Sequence, residues 1–157
     1  EGEFAIRDLV VASLRLRPDR IVVGEVRGGE ALDLLQAMNT GHAGSMTTIH
    51  ANTPIDTLSR IETCALMSGI DFPLSAIRAQ VASAIDAIVQ TARLPDGSRR
   101  VISISEVMPL VDGQYSVREI YAWRTEKLAA DGSLVGQHVS VEAPTFAADA
   151  KIMNLDI

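Results

Sequence analysis

Glu25 and His50 stand where their side-chain types could do chemistry. Glu25 follows the apolar run Ile21-Val22-Val23-Gly24, and His50 follows the small and β-branched run from Gly44 to Ile49. Such runs read as buried strands, and open α/β sheets bind their ligands beyond the carboxyl ends of the strands. A carboxylate delivered there can orient a water or join a magnesium shell. An imidazole there can hydrogen-bond a phosphate oxygen. The same spacing also fits a Glu25 that caps the Gly28-Gly29 turn or pairs with Arg27.

The neighbouring residues narrow the choice only partly. His42 and His50 lie eight positions apart, and beyond distant His138 no further histidine or cysteine remains to complete a zinc-type ligand set, so no direct metal site is expected. Twelve of the fourteen basic residues are arginine, and Arg15, Arg17, Arg20 and Arg27 crowd the two ends of the first strand. They fit a solvated face, a phosphate or an acidic partner subunit. Cys64 falls within an amphipathic helical pattern and reads as a small core residue. Neither Gly-x4-Gly-Lys-Ser/Thr nor Gly-x-Gly-x-x-Gly occurs, so the residues by themselves suggest half of a nucleotide site or none.

The elements that must position these residues follow from periodicity. The pattern predicts helices over 6–16, 30–38, 53–68 and 73–84, with strands over 20–24 and 44–49 between them. In the first helix Ile6, Leu9, Val10, Ser13 and Leu14 fall on one inward face, and Pro18 stops it. Thr53, Pro54 and Asp56 form a helix start, with Thr53 as cap. This alternation belongs to a parallel α/β sheet. Strands over 87–94, 99–109 and 114–123 follow, separated by Asp96-Gly97 and Asp112-Gly113, which are hairpin signals. They read as a smaller antiparallel extension. After Trp123 the pattern weakens to a turn at Asp131-Gly132 and one helix in the last dozen residues.

Composition sets the outer limits. The chain has 157 residues, 47% of them hydrophobic and 22% charged, which fits a folded globular unit and excludes wholesale disorder. A net charge of -6 makes it a poor coat for nucleic acid or an anionic membrane. The lone cysteine fits a reducing compartment, and the sequence contains neither a signal peptide nor an apolar run of membrane-spanning length, so a cytosolic, soluble chain is expected.

The segment from Arg15 to Glu62, RLRPDRIVVGEVRGGEALDLLQAMNTGHAGSMTTIHANTPIDTLSRIE, resembles the core of the secretion ATPases of the type II/type IV superfamily. The likeness spans roughly residues 5–107 and is strongest to the CpaF-like branch that drives tight-adherence pilus assembly. By that resemblance the fold is the C-terminal portion of a RecA-like P-loop NTPase domain, with residues 1–109 as the motor part and 110–157 as an extension. RIVVGEVRGGEA resembles the Walker B segment, which makes Glu25 the glutamate that positions or activates the attacking water. Gly24 stands where many other NTPases place a magnesium-binding aspartate. GHAGSMTTIHA resembles the family's histidine box, with His42 and His50 as phosphate-side or interface sensors and His50 nearer the terminal phosphate. Arg20 and Arg27 match positions suited to interface or loop contacts.

The resemblance implies MgATP as substrate, with Mg²⁺ held through the nucleotide. It also implies a ring, expected to be a hexamer, on the cytoplasmic side of a bacterial inner membrane. Its partners would be membrane-platform or pilus-assembly proteins, with no direct nucleic-acid contact. Conjugative-transfer ATPases share the motifs, and a non-catalytic ring-assembly module is the alternative of another class. The family's Walker A loop, acidic box and N-terminal domain lie upstream of the matched motifs and do not occur in these 157 residues. On that reading the 157 residues alone bind ATP poorly and self-associate through an uncovered sheet edge or apolar face.

Overall fold

Leu14 is the last residue of the first helix, because Pro18 denies the next turn an amide and Arg17 turns to φ 51°. The computed structural model describes residues 4–147 and falls into two units. The first runs to Asp86 and takes in Met108–Ser116; the second is Ala87–Val107 with the chain from Val117 onward. The expected C-terminal helix lies almost wholly outside the described residues.

The first unit contains α1 (Ile6–Leu14), β1 (Val22–Val23), α2 (Glu30–Asn39), β2 (Met46–Thr47), α3 (Pro54–Leu66) and α4 (Leu74–Ala84). α2 is its centre: it packs on α1, α3 and α4, and Leu32 and Leu35 are fully buried. Each such leucine contributes roughly 1.5–3 kcal/mol by leaving water. α3 begins as its sequence dictates, with the Thr53 hydroxyl accepting the Asp56 amide at 3.1 Å and Pro54 in the first turn. Glu62 on α3 accepts from Arg78 Nε on α4 and from the Tyr115 hydroxyl, both at 2.9 Å.

β1 and β2 pair in parallel, Val22 opposite Met46 and Val23 opposite Thr47, joined through α2. Two expectations need correction. Val22 is 66% exposed and Met46 57%, so the apolar run that reads as a buried strand is covered on one face only. On α1 the expected inward face is largely open: among its apolar residues only Val10 is buried, while Ile6 and Leu9 are exposed. An apolar period shows which side of an element wants cover, and among the described residues α2 alone packs closely on α1.

The antiparallel part is larger than expected. β3 (Ala87–Arg93), β4 (Arg99–Val111), β5 (Gln114–Leu128) and β6 (Leu134–Ser140) form one sheet in chain order. The sequence pattern missed β6 and the last third of β5, residues 124–128. Glu126 forms an irregularity between Thr125 and Lys127, which breaks the alternation that signals a strand. The Asp-Gly turns close the hairpins as expected: Asp112 and Gly113 both take positive φ, while Asp96 and Asp131 each accept the amide and hydroxyl of the serine two residues on.

Candidate functional site

The parallel pairing brings the carboxyl ends of β1 and β2 side by side. Beyond the paired residues the Val26 amide donates to the Thr48 carbonyl at 3.0 Å, and the Thr48 hydroxyl donates to the Gly24 carbonyl at 2.6 Å. These bonds carry Glu25 and His50 to one place. His50 Nε2 lies 3.0 Å from Glu25 Oε1, and Arg27 engages Glu25 Oε2 through Nε at 2.7 Å and Nη2 at 2.5 Å. Glu25 keeps 23% of its side chain exposed, against 76% for Arg27 and 86% for His50. The Arg27 hydrogen bond holds the Glu25 carboxyl below its ordinary range; burial opposes it, and the charges of Arg27, His50 and Arg60 add smaller lowering effects.

The turn after Glu25 is fixed by a residue that the sequence reading assigned only to a helix. Glu30 Oε1 accepts the Arg27 amide at 2.8 Å and the Gly28 amide at 3.0 Å. Burial pushes the Glu30 carboxyl up, but these amides and its own outweigh it and leave the group lowered. A carboxylate at the first residue of a helix, reaching back to free amides, is the signal that could have found it. Gly29 is fixed by packing: a Cβ there would lie 2.6 Å from the Ser68 Cα and 2.9 Å from its amide nitrogen. The start of α2 therefore meets the end of α3 backbone to backbone.

A concavity of about 640 Å³ opens beside this cluster, lined by Arg27, His50, Asn52, Asp56, Ser59, Arg60 and further α3 residues. Arg60 was missed by the sequence reading. Positions 56, 59, 60, 63 and 67 follow helical spacing and present one face of α3 to the concavity, a pattern legible once the helix is accepted. Arg27 and Arg60 bring two guanidinium groups to that wall, against the one carboxylate of Asp56, a balance suited to an anion.

Of the five residues singled out from sequence, Glu25, Arg27 and His50 meet here. The other two precede the strands and lie at their amino ends. His42 places Nδ1 3.2 Å from the Ala37 carbonyl at the end of α2, and Arg20 lies against Gly44, its Nε 3.3 Å from where a Gly44 Cβ would stand. Between them the Ser45 hydroxyl donates to the His42 carbonyl at 2.7 Å and accepts the Ile21 amide at 2.8 Å.

A Mycobacterium tuberculosis protein described as a conjugal transfer protein is 40% identical over 130 residues, covering 83% of this chain and 36% of that protein. The conjugal transfer protein TrbB of Rhizobium radiobacter is 44% identical over 91 residues, covering 58% and 27% respectively. The crystal structure of the VirB11 ATPase from the Brucella suis type IV secretion system, in complex with sulphate, superposes with a TM-score of 0.61 at 30% identity, covering 66% of this chain and 32% of that one. The chain thus spans about a third of the length of the relatives it matches. The sequence profile described as "Type II/IV secretion system protein" matches residues 1–123, and the chain belongs to that family.

Proposed function

We propose that this chain carries the hydrolytic part of a MgATP-driven secretion motor of RecA-like fold, in which Glu25 orients the attacking water. The observation that carries the reading is the convergence of Glu25, Arg27 and His50 at the carboxyl ends of β1 and β2, beside a cationic concavity. Phosphoryl transfer needs little covalent help from a protein; positioning and charge stabilisation supply most of the rate. Glu25 accepts a hydrogen bond from the water and sets its direction. Arg27, Arg60 and His50 offer donors and positive charge toward the terminal phosphate. Mg²⁺, arriving with the nucleotide, neutralises phosphate charge when bound.

In this reading the full-length protein works as a hexamer on the cytoplasmic side of a bacterial inner membrane, docked on platform or pilus-assembly proteins. Among the described residues no helix is long and apolar enough to cross a membrane. Arg20 and His42, at the amino ends of the strands, are assigned to subunit or loop contacts. The conjugal-transfer names of the two sequence relatives favour a second reading, a conjugative-transfer motor with the same chemistry and a different cargo.

The deciding experiment is MgATP hydrolysis by the full-length protein beside its Glu25→Gln variant. Turnover should fall by at least about a hundredfold while binding of a non-hydrolysable analogue persists. A variant that keeps its turnover, or a folded full-length protein that neither binds nor hydrolyses MgATP, would leave a non-catalytic ring-assembly module as the function.

A further inference from the structure

Glu25 is engaged on both oxygens. Arg27 takes Oε2 with two nitrogens and His50 meets Oε1. A water-orienting carboxylate needs a free lone pair in the direction of the water, and the two Arg27 nitrogens fill those of Oε2, so that oxygen can orient a water only once the arginine has left it. The restraint on Arg27 is uneven. Its amide is fixed by Glu30, while its side chain is 76% exposed, so the guanidinium can change partner without moving the backbone. Arg27 also lines the concavity with Arg60, which has no ion pair among the described residues.

We infer that Arg27 is a positioning residue that holds Glu25 idle in the empty site and exchanges that carboxylate for the terminal phosphate of a bound nucleoside triphosphate. The inference rests on the proposed function. A phosphate oxygen cluster carries more negative charge than a carboxylate and matches the arginine fork equally well, so a triphosphate seated beside Arg60 competes for Arg27. Once Arg27 turns, Glu25 Oε2 is released to accept a water. The carboxylate is then armed only when its substrate is present, and idle hydrolysis is suppressed by the same contact.

The exchange predicts a coupling that a double-mutant cycle on nucleotide binding can read without any turnover. Binding of a non-hydrolysable MgATP analogue and of MgADP is measured calorimetrically on the full-length protein and its Glu25→Gln, Arg27→Ala and doubly substituted forms. Glu25→Gln removes the competitor, so the analogue should bind about fivefold tighter, MgADP should be unchanged, and the gain should vanish in the Arg27→Ala background. The Arg27 side chain is exposed, so its truncation should not disturb folding, and circular dichroism would confirm that.

An equal gain in the Arg27→Ala background would reduce the effect to repulsion between Glu25 and phosphate and overturn the exchange. Absence of any gain, or the same gain with MgADP, would overturn it as well. In each of these cases, loss of turnover in Glu25→Gln would leave the motor reading standing. A folded protein that binds neither nucleotide would remove both.

Discussion

Each unit of the molecule holds a glutamate against an arginine, and the two pairs are built for opposite ends. Glu25 has partners that are mostly in water, and they meet its oxygens without enclosing them. Glu106 is 5% exposed: it accepts from Arg118 Nη2 at 2.6 Å and from the Thr145 amide at 3.1 Å, and it pairs with the Thr145 hydroxyl. Burial pushes its carboxyl up, but Thr145 and Arg118 outweigh burial and leave it lowered. Glu25 is lowered too, so the direction of the shift does not separate a working carboxylate from a structural one. The burial of the carboxylate and its arginine separates them: Glu106 and Arg118 keep 6% and 26% of their side chains exposed, against 23% and 76% for Glu25 and Arg27, and an arginine mostly in water can be exchanged for a ligand at lower cost.

The sharpest way to break this contrast is to remove each carboxylate. Glu106→Ala leaves Arg118, which is 26% exposed, with only the looser contact of its Nε to Glu142 at 3.7 Å, and frees the segment at Thr145; a loss of about 3 kcal/mol is expected from the urea midpoint. Replacing the pair together, Glu106→Leu with Arg118→Met, should recover much of that loss, since no lone charge remains. Glu25→Gln should leave the urea midpoint unchanged while abolishing turnover. If both single variants destabilised alike, Glu25 would be a structural group and the contrast would collapse.

A smaller effect is expected at the turn that holds the open pair in place. Gly29→Ala drives a methyl group into the Ser68 backbone, and neither backbone can yield without shifting α2 against α3. About 2 kcal/mol of destabilisation follows, together with a raised KM for MgATP as Arg27 moves with the turn. Gly28 serves as the control: the nearest atom to a Cβ there is Glu30 Oε2 at 3.2 Å, the end of a flexible side chain. Equal losses at the two glycines would show that the turn conformation, rather than the close approach, is what matters.

The open pair was legible in the sequence for a physical reason. A run of apolar residues ending in a charge has few explanations, and two such runs separated by a helix bring their ends together in a parallel sheet. Thr53 and Pro54 announced α3 in the same local way. Glu106 was not legible: it sits mid-strand in ISISEVMP, and its cover comes from Arg118 and Thr145, far along the chain. Strand β6 was hidden for a related reason. Gly136 interrupts its apolar alternation, and that gap is filled from the neighbouring strand by Trp123, whose Cζ2 would lie 2.8 Å from a Gly136 Cβ. Arg60 could have been found, because the exposed face of α3 follows from its period; what was missing was a reason to look at a solvated face. Local chemistry can be read from spacing, whereas long-range cover cannot.

Asp96 tests the contrast at its smallest scale, since it is a half-buried carboxylate with a fixed set of donors. It accepts the Leu134 amide at 2.8 Å, the Ser98 hydroxyl at 2.7 Å and the Ser98 amide at 2.9 Å, and so ties the β3–β4 turn to the start of β6. The Leu134 amide, followed by the Ser98 hydroxyl and amide, lowers its pKa to about 2. A carboxyl whose pKa falls on folding stabilises the native state above its unfolded value near 3.8, and that stability is lost as pH falls toward 2. Asp96→Asn should therefore lower the thermal midpoint slightly at pH 6 and flatten its acid dependence between about pH 4 and 2. The Leu134 amide should exchange faster with solvent in the same variant. If the acid slope survives the substitution, its source lies in another lowered carboxyl, with Glu106 first in line, and the buried pair rather than the turn governs how the second unit fails in acid.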